Sequence, residues 1–445
     1  MMLSTRYAWR SALPAAGALL ATLGLLLWGG ADLHAQGGKT LRVGVLYDLS
    51  GPFAGAGSVA SQVGALSAID LVNERGGVLG KFKVVPVTGD SQSKADVAIN
   101  EAERLFNAEH VDLILGIYSS AHAVPLGGKL DAQGKFLWIT TAVASSVLKD
   151  KHYHFVFRPT VHSDQYGETS VRFVAEEAKA KLGMDPTDVK VAIIYEDGPY
   201  GTGIATANEE WAKKLGMKIV HKEGYSATSA DLSSLVTKLK RAHPDVILHT
   251  GYNPDISLFL RQSKEQGLKF KMLIGHGAGY AQIEKLREAF GSDVDYIFNL
   301  DPVAGQLLDP KTLAPGMGEL TQEMIKRYRA KTGNTGDLPP HVSMGFNNTW
   351  ILLTAVVPRA VTAYGDWSAD SLRKAALDLD IAPGGTIQGY GVKFAPPEDP
   401  MSGQNLRSAI TVMQNIGGKI YVSSPRAIRT REPVIPLPAS SPFAE

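Results

Sequence analysis

The chain has 445 residues, of which 44% are hydrophobic and 20% are charged, and its formal net charge at pH 7 is +1. This length exceeds what one hydrophobic core usually supports, so we expect two domains. The near-neutral charge and the lack of a Lys/Arg run argue against nucleic acid or an anionic membrane surface as the partner.

The first 35 residues have the pattern of a signal peptide. Arg6 and Arg10 precede an apolar run from Ala15 to Trp28, and the small residue Ala35 closes the segment. The alternative is a transmembrane anchor, but glycines interrupt the run and it is short for a membrane span. We predict cleavage near Ala35 and a mature protein that is exported to the periplasm and is not embedded in the membrane.

The sequence contains no cysteine. Disulfide bonds are therefore excluded, and stability must come from the burial of apolar surface. The thiol that a lipid anchor at the mature N-terminus would need is also absent, so we expect the protein to diffuse freely.

Strands and helices alternate after Thr40. The apolar runs that predict strands lie at 41–47, 82–87, 111–115, 190–195, 246–248 and 272–274. Apolar positions that recur every three or four residues predict helices from Ser58 to the Gly76-Gly77 stop, over 95–106 and over 232–239. Alternation of this kind is typical of parallel sheets with crossover helices. The sequence therefore predicts an α/β fold with two lobes.

Both series of elements open with the same kind of turn. Asp48 and Gly51-Pro52-Phe53 follow the first strand, and Glu196 and Gly198-Pro199-Tyr200 follow the strand that opens the second series. Ligands of open α/β sheets bind at the carboxyl ends of the strands. We therefore predict two half-sites that face one cleft, and hinged closure over a ligand.

No catalytic, cofactor or metal motif stands out. The segment 55–60 formally fits the glycine fingerprint of dinucleotide-binding folds, but Gly51-Pro52 lies where that fingerprint needs an immediate tight turn. A Gly-x-Ser-x-Gly elbow is absent, and His152, His154 and His162 lack the spacing and the nearby cysteine of a metal site. We predict a binding protein and not an enzyme, with no cofactor and no bound metal.

Five groups of residues carry a resemblance to a known family: Val43-Gly44-Val45 with Leu49-Ser50-Gly51-Pro52, 73–78, 116–120, 196–201 and 251–254. Together they resemble the branched-chain amino-acid-type (leucine-binding-protein-like) solute-binding proteins of ABC importers, which have the type I periplasmic binding fold. The resemblance covers nearly all of the chain after the signal peptide. It implies two Rossmann-like lobes with parallel-sheet cores, joined by a hinge that the chain crosses three times.

The resemblance also implies domain boundaries and partners. Lobe 1 comprises 39–160 and 302–396, and lobe 2 comprises 161–301 and 397–432. The remaining segment, 433–445, is rich in proline, serine and alanine without periodicity and is predicted to be a loose tail. The expected partners are a small solute and an ABC permease in the inner membrane, and the protein is expected to be a monomer. The alternative is a sensor that docks on a receptor instead of a permease.

The resemblance implies a ligand site at the strand ends. Ser120 takes the place of a serine that holds the ligand carboxylate, Ala142 supplies a backbone amide, and Tyr200 and Tyr252 are the aromatics of the second lobe. Amides and the helix dipole at such a turn favour an anion in any protein. The alternative role for Ser120 is a plain helix N-cap.

Three further residues are candidates for ligand contact. Ser119 and Tyr118 directly precede Ser120, and Tyr118 is placed to line the pocket wall. His341 follows Pro339-Pro340 where the family tends to carry an aromatic, so it is a candidate to hydrogen-bond a hydroxyl or carbonyl of the ligand. The alternative for His341 is a capped loop histidine.

Two positions depart from the family pattern. Ala144 and Gly277 stand where the family holds the ligand ammonium with a threonine and a glutamate, and neither side chain can accept a hydrogen bond. An ammonium buried without a partner costs several kcal/mol. Ala56 also replaces a large aromatic, which leaves room for a larger ligand. We therefore predict a carboxylate without an α-amino group, an aromatic or bulky aliphatic acid.

An α-amino acid remains the alternative ligand. Ser145 or His276 would supply the missing ammonium partner if the correspondence with the family is shifted by one residue.

Overall fold

Two sheets organise the part of the chain that the computed structural model describes, residues 39–445. The predicted signal peptide lies outside the described residues. The first sheet contains β1 (Leu41–Tyr47), β2 (Val84–Asp90), β3 (Leu113–Gly116), β4 (Leu137–Ile139) and β5 (Val156–Phe157). Its strands are all parallel, in the order β2-β1-β3-β4-β5. Continuous apolar runs such as β1 form here because helices cover both faces of a parallel sheet.

The second sheet has seven strands. They are β6 (Lys190–Glu196), β7 (Lys218–Tyr225), β8 (Val246–Thr250), β9 (Met272–His276), β10 (Phe298–Asp301), β11 (Thr411–Ile416) and β12 (Lys419–Ser424). Their order is β12-β11-β10-β9-β8-β6-β7. The pairs β10–β11 and β11–β12 are antiparallel, and the other neighbours are parallel.

Twelve helices of the described chain accompany the sheets. They are α1 (Ser58–Glu74), α2 (Ala95–Asn107), α3 (Ser120–Ala132), α4 (Ser163–Glu177), α5 (Pro199–Lys214), α6 (Ser233–Ala242), α7 (Asn253–Gln266), α8 (Ile283–Phe290), α9 (Met317–Thr332), α10 (Pro340–Ile351), α11 (Val357–Tyr364) and α12 (Ala369–Leu377). Within residues 39–445, none of them combines the length and the apolar character that a membrane crossing requires.

The predicted glycine stop of α1 is present. Gly76 and Gly77 have φ angles of +96° and +82°, a region that favours glycine. A Cβ atom at Gly77 would lie 2.2 Å from the carbonyl oxygen of Phe82. The chain can therefore turn back tightly into β2 only with glycine at this position.

The chain passes three times between the second sheet and the first sheet or the helices beside it. After β5 it forms β6 to β10, then α9 to α12, and then joins the second sheet again as β11 and β12. Helices α9 and α10 pack against α1, on the side of the first sheet. The predicted α/β class with two mostly parallel sheets is confirmed. The lobe boundaries remain predictions.

The C-terminal segment differs from the predicted loose tail. Phe443 is 1% exposed, and its ring stacks on Phe270 with 5.3 Å between the ring centroids. The amide of Phe270 donates to the carbonyl of Phe443, and the amide of Leu437 donates to the carbonyl of Lys271. A few apolar side chains without periodicity are enough to dock a short segment when a sheet already provides the surface.

Replacing the buried ring tests this packing. We expect Phe443→Ala to lower the free energy of unfolding by about 3–5 kcal/mol, because it removes a buried aromatic side chain. The measurement is urea unfolding, with the exposed Ser440→Ala as the control in the same segment. Equal stability of the two variants would show that the segment is loose.

Candidate functional site

One cavity brings together six of the nine predicted site residues. They are Tyr118, Ser120, Tyr200, Tyr252, Gly277 and His341. The other three, Ser119, Ala142 and Ala144, are close to these residues in the chain but are not part of the lining.

The cavity lies where strands of both sheets end. Tyr118 follows β3, Tyr200 begins the helix after β6, Tyr252 follows β8, and Gly277 follows β9. Ligands of open α/β sheets bind at these carboxyl ends. The arrangement has the form of the two facing half-sites that the sequence predicts, and the roles of the residues in ligand binding remain predictions.

Ser120 is the first residue of α3 and is 2% exposed. Its hydroxyl oxygen accepts a hydrogen bond of 3.0 Å from the amide of Ala144, and it does not cap its own helix. The plain N-cap role is therefore not what the structure shows. Because the oxygen accepts from the protein, the hydroxyl hydrogen can be donated to a ligand in the cavity.

The amide predicted to bind the ligand is used inside the protein. Ala142 donates its N–H to the carbonyl of Ile117 at 3.0 Å, and the amide of Ala144 is occupied by Ser120. Val143, between them, lines the cavity. Its N–H meets no acceptor of the protein within residues 39–445. Val143 therefore replaces Ala142 as the candidate donor of this loop, since neighbouring amides of an extended loop point in different directions.

Aromatic rings from both sides close over the cavity. The ring of Tyr252 lies 5.4 Å from that of Tyr200 and 4.3 Å from that of Phe53, which belongs to the loop after β1. Burial raises the pKa of Tyr252 well above 10, and the nearby Ser119 hydroxyl lowers it by a smaller amount. The hydroxyl of Tyr200 donates to the carbonyl of His276. These phenols are therefore neutral walls of the site.

His341 lies in the first turn of α10 and not in a loop. It is 3% exposed, and its Nδ1 atom is 3.3 Å from Nε2 of Gln282. Burial lowers the pKa of His341 to about 4. The ring is therefore neutral at pH 7 and has both a donor and an acceptor nitrogen.

Asp301 is the residue of the site that the sequence analysis missed as a candidate. It ends β10, lines the cavity and is 1% exposed. Tyr166 donates its hydroxyl to Oδ1 of Asp301 at 2.7 Å, and no cation of the described chain pairs with this carboxyl. Burial raises its pKa to about 7. The sequence did carry a signal for Asp301, because it is an acidic residue at the end of an apolar strand, like Asp48 and Glu196.

Gly277 and Asp301 occupy adjoining space. Gly277 has a φ angle of +48°, and a Cβ atom there would lie 2.9 Å from Oδ1 of Asp301. The lack of a side chain at 277 therefore leaves room for the carboxyl of Asp301. Ala144 and Gly277 offer no side-chain acceptor for an ammonium, but Asp301 places a buried carboxyl in the same cavity.

The two residues named as substitute ammonium partners do not line this cavity. Ser145 donates its hydroxyl to Asp164 at 2.8 Å, and Nδ1 of His276 is 2.8 Å from the hydroxyl of Thr250. The Ser145 hydroxyl and Nδ1 of His276 are thus engaged within the protein, whereas Nε2 of His276 has no hydrogen-bond partner within residues 39–445. Of these three residues only Asp301 lines the cavity.

The rest of the lining comes from residues that carry no sequence signal of their own. They are Thr141, Val143, Tyr166, Ala278 and Met344. Met344 belongs to α10, which only the tertiary fold brings to the strand ends. Within residues 39–445, His, Asp and Glu side chains form no group of three that could hold a metal ion.

The raised pKa of Asp301 predicts how the ligand-free protein responds to pH. A carboxyl whose pKa is raised by folding stabilises the folded state at low pH, and this contribution is lost as pH rises towards the folded pKa. Between pH 5 and pH 7 we expect the wild type to lose about 1.4 kcal/mol per pH unit relative to Asp301→Asn. Urea unfolding at pH 5, 6, 7 and 8 measures this. A difference that stays constant with pH would contradict the burial of an unpaired carboxyl.

Comparisons with known proteins agree with this architecture. Residues 40–396 match the family model described as periplasmic binding protein. The Leu/Ile/Val-binding protein homolog 7 of Brucella abortus (strain 2308) is 32% identical over 403 residues, which cover 90% of this chain and 96% of that relative.

Solved structures share the fold at lower identity. The branched-chain amino acid transporter substrate binding protein LivJ from Streptococcus pneumoniae, in complex with isoleucine, has a TM-score of 0.69 and 20% identity, and the match covers 89% of this chain and 100% of that chain. An ABC transporter solute binding protein from R. palustris, in complex with benzoate, has a TM-score of 0.69 and 17% identity, with 86% and 95% covered. The chain therefore belongs to the periplasmic binding protein family, as a solute-binding protein of the branched-chain amino-acid type.

Proposed function

We propose that this protein is the periplasmic solute-binding component of an ABC importer, and that its solute is a small carboxylate that also carries a protonated amino group. The observation that carries the proposal is Asp301, a buried carboxyl in the cavity with no cation of the described chain beside it. A buried charge is stable only when it is paired or neutralised. A ligand ammonium is the partner that fits this position.

The ammonium of the solute is assigned to Asp301, and its carboxylate to the part of the cavity formed by Ser120 and Val143. Ser120 lies at the N-terminus of the 13-residue helix α3, where the helix dipole favours negative charge. Its hydroxyl and the amide of Val143 are donors that face the cavity. Tyr200 and Tyr252 enclose the middle of the solute and exclude water, which strengthens both polar contacts.

A carboxylate without an amino group is the second candidate, and it is the ligand class that the sequence predicts. The four tyrosines of the lining support it, and one structural neighbour was solved with benzoate. Such a ligand would require Asp301 to be protonated, because two carboxylates in one dry cavity repel each other. The two candidates therefore differ in how their binding depends on pH.

Matched ligand pairs decide between them. We expect L-leucine or L-phenylalanine to bind more tightly than isocaproate or hydrocinnamate, which lack only the amino group. The dissociation constant of the amino acid should fall about tenfold from pH 6 to pH 8, because Asp301, with a pKa of about 7, must lose its proton to pair with the ammonium. Isothermal titration calorimetry at both pH values measures this.

The control is Asp301→Asn, which keeps the acceptor oxygen for Tyr166 but removes the charge. It should weaken amino-acid binding and abolish the pH dependence. Tighter binding of isocaproate or hydrocinnamate, with affinity that falls as pH rises, would instead support the acid without an amino group.

The carboxylate end has its own test. We expect Ser120→Ala to weaken binding by about 1–3 kcal/mol, because a hydrogen bond to a charged group is lost. The exposed Ser440→Ala serves as the matched control. Unchanged affinity of Ser120→Ala would remove this serine from the site.

Import follows from closure of the two lobes around the solute. Contacts to both sheets stabilise the closed form, and the closed form is what a permease recognises. Cells that lack the gene should take up the labelled solute more slowly, and the wild-type gene but not Ser120→Ala should restore uptake. Normal uptake in the deleted strain would favour the sensor role over import.

A further inference from the structure

Arg158 is a fully buried cation next to the loop that holds Val143. It directly follows β5 and is 0% exposed. Its Nη1 atom donates to the carbonyls of Ala142 and Ala144 at 3.2 and 2.7 Å, and its Nε atom donates to the side-chain oxygen of Gln404 at 2.6 Å. Within residues 39–445, its Nη2 atom meets no hydrogen-bond partner.

The charge of Arg158 is not balanced by any contact of the described chain. All three of its hydrogen-bond acceptors are neutral carbonyl or amide oxygens. The acid that acts on it electrostatically, Asp164, is 42% exposed and lies 3.7 Å from Lys149. Burial lowers the pKa of Arg158 to about 9, so the guanidinium stays charged at pH 7. A buried charge without a counter-ion is costly, and an anion bound nearby offsets that cost.

The hydrogen bond to Ala142 also orients the next amide. In a planar trans peptide, the carbonyl of one residue and the N–H of the next point in opposite directions. Because the Ala142 carbonyl points to Arg158, the Val143 N–H points away from it. Val143 lines the cavity, and donation from a cation to the carbonyl polarises the peptide and makes its N–H a stronger donor.

We infer that Arg158 is a positioning residue for the bound carboxylate: it aims the Val143 amide into the cavity and supplies the positive charge that balances the anion. This inference rests on the proposed function, since it needs a carboxylate at the Ser120 end of the site. Arg158 acts through the loop and does not itself line the cavity.

A purely structural role predicts something different. Arg158 also joins the 142–144 loop to Gln404, whose amide nitrogen donates to the carbonyl of Thr160 at 2.6 Å. If Arg158 only held these segments together, its loss would weaken the binding of charged and neutral ligands alike. The ratio of affinities for a carboxylate and for its carboxamide separates the two roles.

The experiment measures that ratio by calorimetry on the full mature protein. The probes are whichever of L-leucine, L-phenylalanine, isocaproate and hydrocinnamate binds most tightly, and its carboxamide. We expect Arg158→Gln to weaken carboxylate binding roughly 10- to 100-fold and carboxamide binding much less. Arg158→Lys, which keeps the charge, should retain part of the preference for the carboxylate. The control is Arg172→Gln, a half-exposed arginine on α4 that pairs with Glu168.

A second variant decides the question without removing the arginine. Gln404→Glu places a carboxylate against the Nε atom of Arg158 and neutralises its charge with almost no change of side-chain size. It also removes the hydrogen bond to the Thr160 carbonyl, a structural loss that affects carboxylate and carboxamide binding alike and so leaves their ratio unchanged. We expect it to lower the carboxylate-to-carboxamide ratio in the same direction as Arg158→Gln. If the wild type binds carboxylates and Gln404→Glu leaves the ratio unchanged, this inference is wrong while the proposed function stands. If the wild type binds none of the four acids, the proposed function fails and the inference fails with it.

Discussion

The convergence of two sets of strand ends on one cavity lined by buried residues is the constraint on which the rest of the site depends. Strand ends leave backbone amides and carbonyls unpaired, and in a buried position each of them needs a partner. The protein satisfies most of them itself, as Ala142 with Ile117 and Ala144 with Ser120 show. The few that it leaves open define where a ligand can bind.

Asp301 and Arg158 are buried groups of opposite charge near the cavity, and neither has a charged partner in the described chain. Asp301 ends a strand of the second sheet, and Arg158 follows a strand of the first. Each is hydrogen-bonded only to neutral groups, so no opposite charge of the described chain balances it. A solute with a positive and a negative end can balance both charges, and its binding free energy is most favourable when the two sheets are close together. The same charges can therefore provide affinity and favour closure.

Several features follow directly from local sequence. The apolar run of β1 and the Gly76-Gly77 stop of α1 appear as predicted, because burial on both faces and positive φ angles depend on residues close in the chain. Tyr200 and Tyr252 were placed correctly at strand ends by the motifs around them. Glu196 matches Asp48 in the sequence pattern, but the two carboxyls have different partners. Glu196 accepts the amides of Gly198 and Gly201, whereas Asp48 accepts the Ser91 hydroxyl and lies 3.2 Å from Nδ1 of His122.

The sequence by itself determined the α/β class, six of the twelve strands and three of the twelve α-helices of the described chain, since these depend on the apolar period and on glycine. Only the tertiary structure decided which groups at the strand ends are free. The Ala142 amide is used inside the protein, and a long-range hydrogen bond from Arg158 holds the carbonyl that precedes the Val143 N–H, so Val143 is the donor that we propose in its place. The carboxyl of Asp301 has room beside the cavity because Gly277, which follows the neighbouring strand β9, has no side chain. Both outcomes depend on distances between residues far apart in the chain, which no local pattern encodes.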